Sequence, residues 1–162
     1  SDYSARLAAK LGIRYSYAGH FGQFDPAGVF ALYRAEFQPS ETLAEPYAMI
    51  ATSVITAETD ERAQYLAGPA KRMAIALRTN QLTPVISTEK AAANPLSPLD
   101  EAMLGQLPAT KFVGMPEKVR DALQSLVSRT GVQELMLAAT TYDVQTRIDT
   151  LRDVKDMGLQ VG

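Results

Sequence analysis

The sequence predicts an α/β fold built on a mainly parallel sheet with right-handed crossovers. Three observations carry that reading. Short β-like runs alternate with amphipathic helical patterns along the whole chain. The run Tyr47–Ala57 has no charged side chain and is β-branched in its second half, as a strand covered by helices on both faces reads. Helix-start signals stand ahead of the helical patterns at Pro26, Thr59, Ser97-Pro98 and Asp143.

In chain order, residues 4–11 read as a short helix with Ala5, Ala8 and Ala9 on one face and Gly12 as its stop. Ile13–Ala18 is a compact strand with Tyr15 and Tyr17 on one side, ended by Gly19. Pro26 opens a helix to about Phe37 with Val29, Phe30, Leu32, Tyr33 and Phe37 as its apolar set, and residues 39–46 form a loop. After the Tyr47–Ala57 strand, Thr59 caps a helix that carries Asp60 and Glu61 in its first turn. It runs to about Arg78, and Gly68-Pro69 should kink or split it.

Residues 79–96 are the least regular stretch. Ser97-Pro98-Leu99-Asp100 restarts a helix, and Phe112-Val113 is a possible extra strand. Pro116-Glu117 opens a helix with Val119, Ala122, Leu123, Leu126 and Val127 facing the core, stopped by Gly131. Glu134–Thr140 is the last strand, and Asp143 caps a terminal helix to about Met157. Only three strands are well marked. An eight-unit barrel typically takes about 250 residues, so 162 are too few to close one.

Composition narrows the chemistry. The chain has room for one domain, residues 1–162. Sixteen basic against eighteen acidic residues leave no cationic footprint, so nucleic acid is not an expected partner. The absence of cysteine removes disulfides, zinc ribbons, iron–sulfur clusters and thiol nucleophiles. One histidine, His20, excludes any site needing two imidazoles, and no metal site is expected. No apolar run approaches the roughly 20 residues of a membrane helix. No signal peptide is visible before Ser4, so no membrane partner and a cytoplasmic location are expected. The missing initiator methionine allows a trimmed or partial chain.

Two places could carry function. Ser1-Asp2-Tyr3-Ser4 stands at a helix start, where unpaired N–H groups, the positive dipole end and serine hydroxyls can receive a phosphate. Simple helix capping is the commoner use of such serines. His20 follows a strand end, where parallel sheets place ligands, or it is a hydrogen-bonded loop histidine. Tyr15, Tyr17, Phe21 and Phe24 read as core, and Asp25 reads as an N-cap rather than a partner for His20. Glu41, Glu45, Glu58, Asp60 and Glu61 form no acid–base pair, and the last three read as a solvated helix start. No Walker loop, dinucleotide fingerprint or nucleophile elbow is present.

Seven segments occur in a familiar order. They are Ser1-x-x-Ser4-Ala with Leu-Ala-Ala-Lys-Leu-Gly-Ile (1–13), Tyr-Ser-Tyr-Ala-Gly-His-Phe (15–21) and Tyr-Arg-Ala-Glu-Phe-Gln-Pro-Ser-Glu (33–41). Glu-Pro-Tyr-Ala-Met-Ile-Ala (45–51), Ala-Glu-Thr-Asp-Glu-Arg-Ala (57–63), Phe-Val-Gly-Met-Pro-Glu-Lys-Val (112–119) and Thr-Gly-Val-Gln-Glu-Leu-Met-Leu (130–137) follow. Together they resemble the C-terminal half of the bacterial luciferase-like flavin-dependent monooxygenases.

The resemblance implies the C-terminal portion, about three βα units, of a (β/α)8 TIM barrel. Its strands would be residues 13–18, 47–57 and 133–140, and residues 79–107 would be a lid-like insertion. It implies reduced FMN (FMNH2) as cofactor, oxygen and an aldehyde-like or other small organic substrate, and a separate flavin reductase as a partner. By position, Ser1 and Ser4, with Tyr3 between them, would hold the FMN phosphate, and His20 would face the flavin ring as the catalytic candidate. The family's other phosphate and ring contacts lie in its first half, so this chain alone is expected to be inactive. It should pair with a missing N-terminal barrel half or self-associate, because strand edges and an inner face stay uncovered. In Gly114-Met115-Pro116-Glu117, methionine replaces the family's usual hydroxyl residue, which removes an N-cap worth roughly 1 kcal/mol. The alternatives are a non-catalytic half-barrel that binds a phosphorylated ligand or a partner chain, and an unrelated α/β module whose serines only cap.

Overall fold

A computed structural model describes residues 1–21, 25–106 and 111–162. The described elements are α1 (Asp2–Lys10), β1 (Tyr15–Ala18), α2 (Pro26–Glu36), β2 (Ala48–Thr56), α3 (Asp60–Leu66) and α4 (Gly68–Thr79). They continue with α5 (Thr88–Ala92), α6 (Pro98–Gly105), β3 (Val113–Gly114), α7 (Pro116–Thr130), β4 (Glu134–Ala139) and α8 (Val144–Asp156). β1, β3 and β4 each pair with β2 and, among the described residues, not with one another, so the sheet is open. The chain divides into two units. One comprises Ser1–Thr52, Leu123–Leu137 and Leu159–Gly162, and the other Ser53–Ala122 and Ala138–Gly158.

In the first unit, α1 forms because Ser1 caps it, and it buries Ala5, Ala8 and Ala9, the predicted face. It ends in a Schellman turn: Gly12 N–H donates to the Ala9 carbonyl, and Ile13 N–H to that of Ala8, with Gly12 at φ 60°. That turn holds Ile13 outside the strand, so β1 starts at Tyr15 rather than at residue 13. β1 runs parallel to β2 with Tyr15 opposite Ala48 and Tyr17 opposite Ile50. Paired residues of parallel strands share a face. Tyr15, Tyr17, Ala48 and Ile50 accordingly form a buried face, and Phe30 of α2 packs on the two tyrosine rings at 5.9 and 6.0 Å.

Tyr33 locks the two strand starts together. Its hydroxyl donates to the Ile13 carbonyl at 2.8 Å and accepts from Tyr47 N–H at 3.2 Å. Gln133, just ahead of β4, brackets Ala48 from its own side: its side-chain carbonyl accepts from Ala48 N–H at 2.8 Å, and its N–H donates to the Ala48 carbonyl at 3.0 Å. Phe21 departs from expectation. It is 63% exposed and stacks on His20 instead of entering the core, because the chain has already turned off the sheet at Gly19.

In the second unit, Ile55 and Thr56 pair in parallel with Val113 and Gly114, so the possible extra strand is present as β3. Ile55, Ala57, Ala63, Leu66, Ala67 and Val113 form the core here. The predicted long helix is split at Ala67, with Gly68-Pro69 opening α4. Residues 79–96 contain the short helix α5, and Ser97 and Asp100 close a capping box on α6. Asp143 caps α8 through the Thr146 N–H at 3.0 Å. Leu107, at the end of the lid-like stretch, and Phe24 lie outside the described residues.

The missing cap at Met115 is made good from elsewhere. Asp60 Oδ1 accepts the Met115 N–H at 3.0 Å, and its Oδ2 takes Lys118 Nζ at 2.7 Å. A residue read as part of a solvated helix start therefore caps α7 from the first turn of α3. The Lys118 ammonium first, and the Met115 N–H second, hold the Asp60 carboxyl below the usual aspartate range. A depressed carboxylate pKa adds stability at neutral pH that is lost as the pH falls through the folded value.

Asp60→Ala should therefore lower the thermal midpoint by a few degrees at pH 7. The gap from the parent should close below the ordinary aspartate value of about 3.9. Met115→Ser in the Asp60→Ala background should recover part of the loss by capping α7 directly. Circular-dichroism melts at pH 7 and pH 3 check both; equal midpoints for parent and Asp60→Ala at pH 7 would contradict the cap.

Candidate functional site

The predicted residues occupy two places in the first unit. At the start of α1, Ser1 and Ser4 close a capping box. Ser4 Oγ donates to the Ser1 carbonyl at 2.8 Å, while the Ser4 N–H reaches Ser1 Oγ only at 3.5 Å. The terminal ammonium lies 3.3 Å from Ser4 Oγ. Both serines and Tyr3 are exposed. Three kinds of donor thus converge here: two hydroxyls, the ammonium and the first-turn N–H groups that no helix can pair internally. Asp2 places one carboxylate in the same turn.

Sequence reasoning missed one neighbour. The Tyr15 hydroxyl comes within 3.5 Å of Ser4 Oγ, so the first residue of β1 backs the start of α1. Its ring is buried against Phe30 and Tyr33, which fixes where that hydroxyl sits. The β-strand alternation gave the ring's side of the sheet, but nothing local to Tyr15 points to Ser4.

His20 is placed by Gly19. A Cβ on Gly19 would stand 2.8 Å from the Ala51 carbonyl oxygen and 3.2 Å from two Ile50 carbons. Only glycine lets the turn press against β2 this closely. His20 Nδ1 then lies 3.4 Å from the same Ala51 oxygen, and its ring centroid is 4.1 Å from that of Phe21. With a proton on Nδ1 to make that contact, Nε2 is the accepting nitrogen of the ring. Asp25 is not its partner: the carboxylate accepts from Ala27 N–H and caps α2, as expected. Among the described residues, no hydrogen bond, ion pair or ring contact joins His20 to Ser1, Tyr3 or Ser4.

A second polar cluster lies at the opposite end of the strands. Arg14 stacks over the Tyr47 ring at 4.6 Å, and the Tyr47 hydroxyl donates to Glu134 at 3.1 Å. That bond to a carboxylate, with partial burial, raises the Tyr47 pKa above its ordinary value, so the phenol keeps its proton. At the amino ends of parallel strands such a cluster serves stability. Among the described residues, no group of three or more histidine, aspartate or glutamate side chains could hold a metal ion, and no helix is long and apolar enough to cross a membrane.

No family model matches the chain. A luciferase-like monooxygenase of Escherichia coli strain K12 is 33% identical over 162 residues, covering 96% of this chain and 48% of that protein. The crystal structure of apo-MsnO8 superposes on the whole chain and on 50% of its own, with a TM-score of 0.85 and 26% identity. The fold is that of the luciferase-like flavin monooxygenases. A type II Baeyer–Villiger monooxygenase solved in complex with FMN, the oxygenating constituent of a 3,6-diketocamphane monooxygenase from Pseudomonas putida, shares the luciferase-like fold. Its TM-score is 0.58 at 20% identity, over 96% of this chain and 44% of that one. The chain spans about half the length of the curated relatives it matches.

Gly19→Ala should destabilise the chain by about 1–3 kcal/mol, the usual range for forcing a methyl into a filled space. It should also shift the His20 ring resonances, since the imidazole rides on that turn. Denaturant melts and an NMR spectrum selective for histidine test this. A parent-like midpoint with unmoved resonances would mean that the turn opens freely and does not position His20.

Proposed function

We propose that this chain is the C-terminal part of an FMN-dependent luciferase-like monooxygenase, in which Ser1, Tyr3 and Ser4 hold the flavin phosphate and His20 lines the pocket beside the ring. The observation that carries the reading is the match of the whole chain to half of a structure with this fold, at a TM-score of 0.85. The donor set at the start of α1 fits a phosphate: hydroxyls, a cationic terminus and the positive end of a nine-residue helix. FMN, when bound and reduced, supplies the electrons that let dioxygen oxidise a small organic substrate. The chain's own residues anchor the phosphate at Ser1 and Ser4, and His20 holds or releases a proton at Nε2.

The rest of the barrel comes from a partner segment. Two features support this. α1 carries Leu7 and Leu11 exposed one turn apart, and α8 carries Val144, Ile148 and Leu151 exposed at helical spacing. Each is a large apolar stripe with no cover within its own unit. The partner is the missing N-terminal half or, without it, a second copy of this chain.

Two measurements test the proposal. Ser4→Ala in the complete barrel should weaken FMN by about 1–3 kcal/mol, the worth of a hydrogen bond to a charged group, and excess inorganic phosphate should compete with FMN in the parent. Because Ser4 also belongs to the capping box, a melt of the variant must accompany the titration. An unchanged FMN dissociation constant removes Ser4 from the site. Size-exclusion chromatography with light scattering should find the chain alone self-associated, and a stable monodisperse monomer would refute the need for a partner.

A further inference from the structure

The second unit contains a cavity of about 270 Å³, walled by α4, the segment that follows it and the start of α6. None of the residues assigned to flavin lines it. Its apolar wall includes Ile75, Val85, Ile86 and Leu96, and its polar wall includes Arg72 and Asp100. Arg72 Nη2 is shielded from solvent and has no hydrogen-bond partner. A buried donor of a cation without an acceptor is costly and rare, and such a group calls for a ligand.

The neighbouring charges do not satisfy it. Asp100 is committed to the start of α6, where its Oδ2 accepts from Ser97 Oγ at 2.8 Å and from Ser97 N–H at 3.3 Å. Lys71, next along α4, donates to Gln64 at 2.7 Å. The cavity therefore holds one uncommitted cationic fork and one carboxylate already in use.

We propose that this cavity is a second ligand site, for a small aliphatic carboxylate whose head pairs with Arg72 and whose chain lies against Ile75, Val85, Ile86 and Leu96. The planar guanidinium matches a carboxylate in geometry, and a turn about its last torsion brings Nη2 to the cavity. The Asp100 charge on the same wall selects a monoanion over a phosphate dianion. The volume falls just below the roughly 300–1,000 Å³ usual for drug-sized ligands, so the chain is short.

Calorimetric titration of the full chain with sodium hexanoate, 1-hexanol and inorganic phosphate tests this. Hexanoate should bind saturably at one site, hexanol at least tenfold more weakly, and phosphate should neither bind there nor displace hexanoate. Arg72→Met should lower hexanoate affinity tenfold or more and leave hexanol binding in place, while Arg72→Lys should retain part of the preference for the acid. Hexanol binding as tightly as hexanoate, displacement by equimolar phosphate, or full hexanoate affinity in Arg72→Met would each overturn the site. If Arg72→Met does not fold, the hexanoate-to-hexanol ratio of the parent decides.

Discussion

The backbone of β2 is the constraint on which the remaining structure depends. Seven of the nine residues Ala48–Thr56 are buried, so this strand cannot find water for its amides and must find partners. It finds them in β1 over Ala48–Ala51 and in β3 over Ile55–Thr56, and β4 pairs with it as well. At its carboxyl end even the side chain is committed. Thr56 Oγ1 donates to Asp153 at 2.6 Å, and the Thr56 N–H reaches the Thr150 hydroxyl at 3.4 Å. Each helix described around β2 exists to cover one of its faces or to bring a paired strand to it.

This dependence explains what the sequence revealed and what it hid. An uncharged, β-branched run is visible without coordinates, and so are caps whose donor and acceptor lie three residues apart, as at Ser97, Thr59 and Asp143. The Gly68-Pro69 break was legible for the same reason, since proline acts on its own helix. The exposed position of Phe21 was not, because aromatic content says nothing about whether a chain has turned off its sheet. The Asp60 cap was hidden most deeply. Fifty-five residues separate it from Met115, and its local context matches any acidic first turn. Of the candidate site, the residue types at Ser1, Ser4 and His20 were readable. The backing of Ser4 by Tyr15 and the seating of His20 on Ala51 depend on β1–β2 pairing, which no local pattern specifies.

Capping and phosphate binding at Ser1 and Ser4 are not exclusive uses. The capping contacts are uneven: one at 2.8 Å is well formed, but those at 3.3 and 3.5 Å sit at the far edge of useful hydrogen-bond length. An anion that took over the long contacts would displace little. It would also meet N–H groups that the helix leaves free by construction. The opposing term is Asp2, whose carboxylate favours the helix dipole in the free chain and repels a dianion at the same spot. The short Ser4–Ser1 bond preserves the first turn in either state, so the same two residues can shape the helix end and present it to a ligand.

The bare face of β1 argues further about where a partner must attach. Tyr15 and Tyr17 are buried on one side, while Ser16 and Ala18 are exposed on the other. Such small side chains leave little apolar area in water, so that face gains little from being covered. The helix stripes differ. Leu7 with Leu11, and Val144 with Ile148 and Leu151, each hold large aliphatic groups in solvent. At about 25 cal/mol per Å² of apolar area removed from water, these stripes gain far more from cover than the strand face does. A docking segment would draw its affinity from the two helices, and the strand face would be free to keep small residues suited to a pocket.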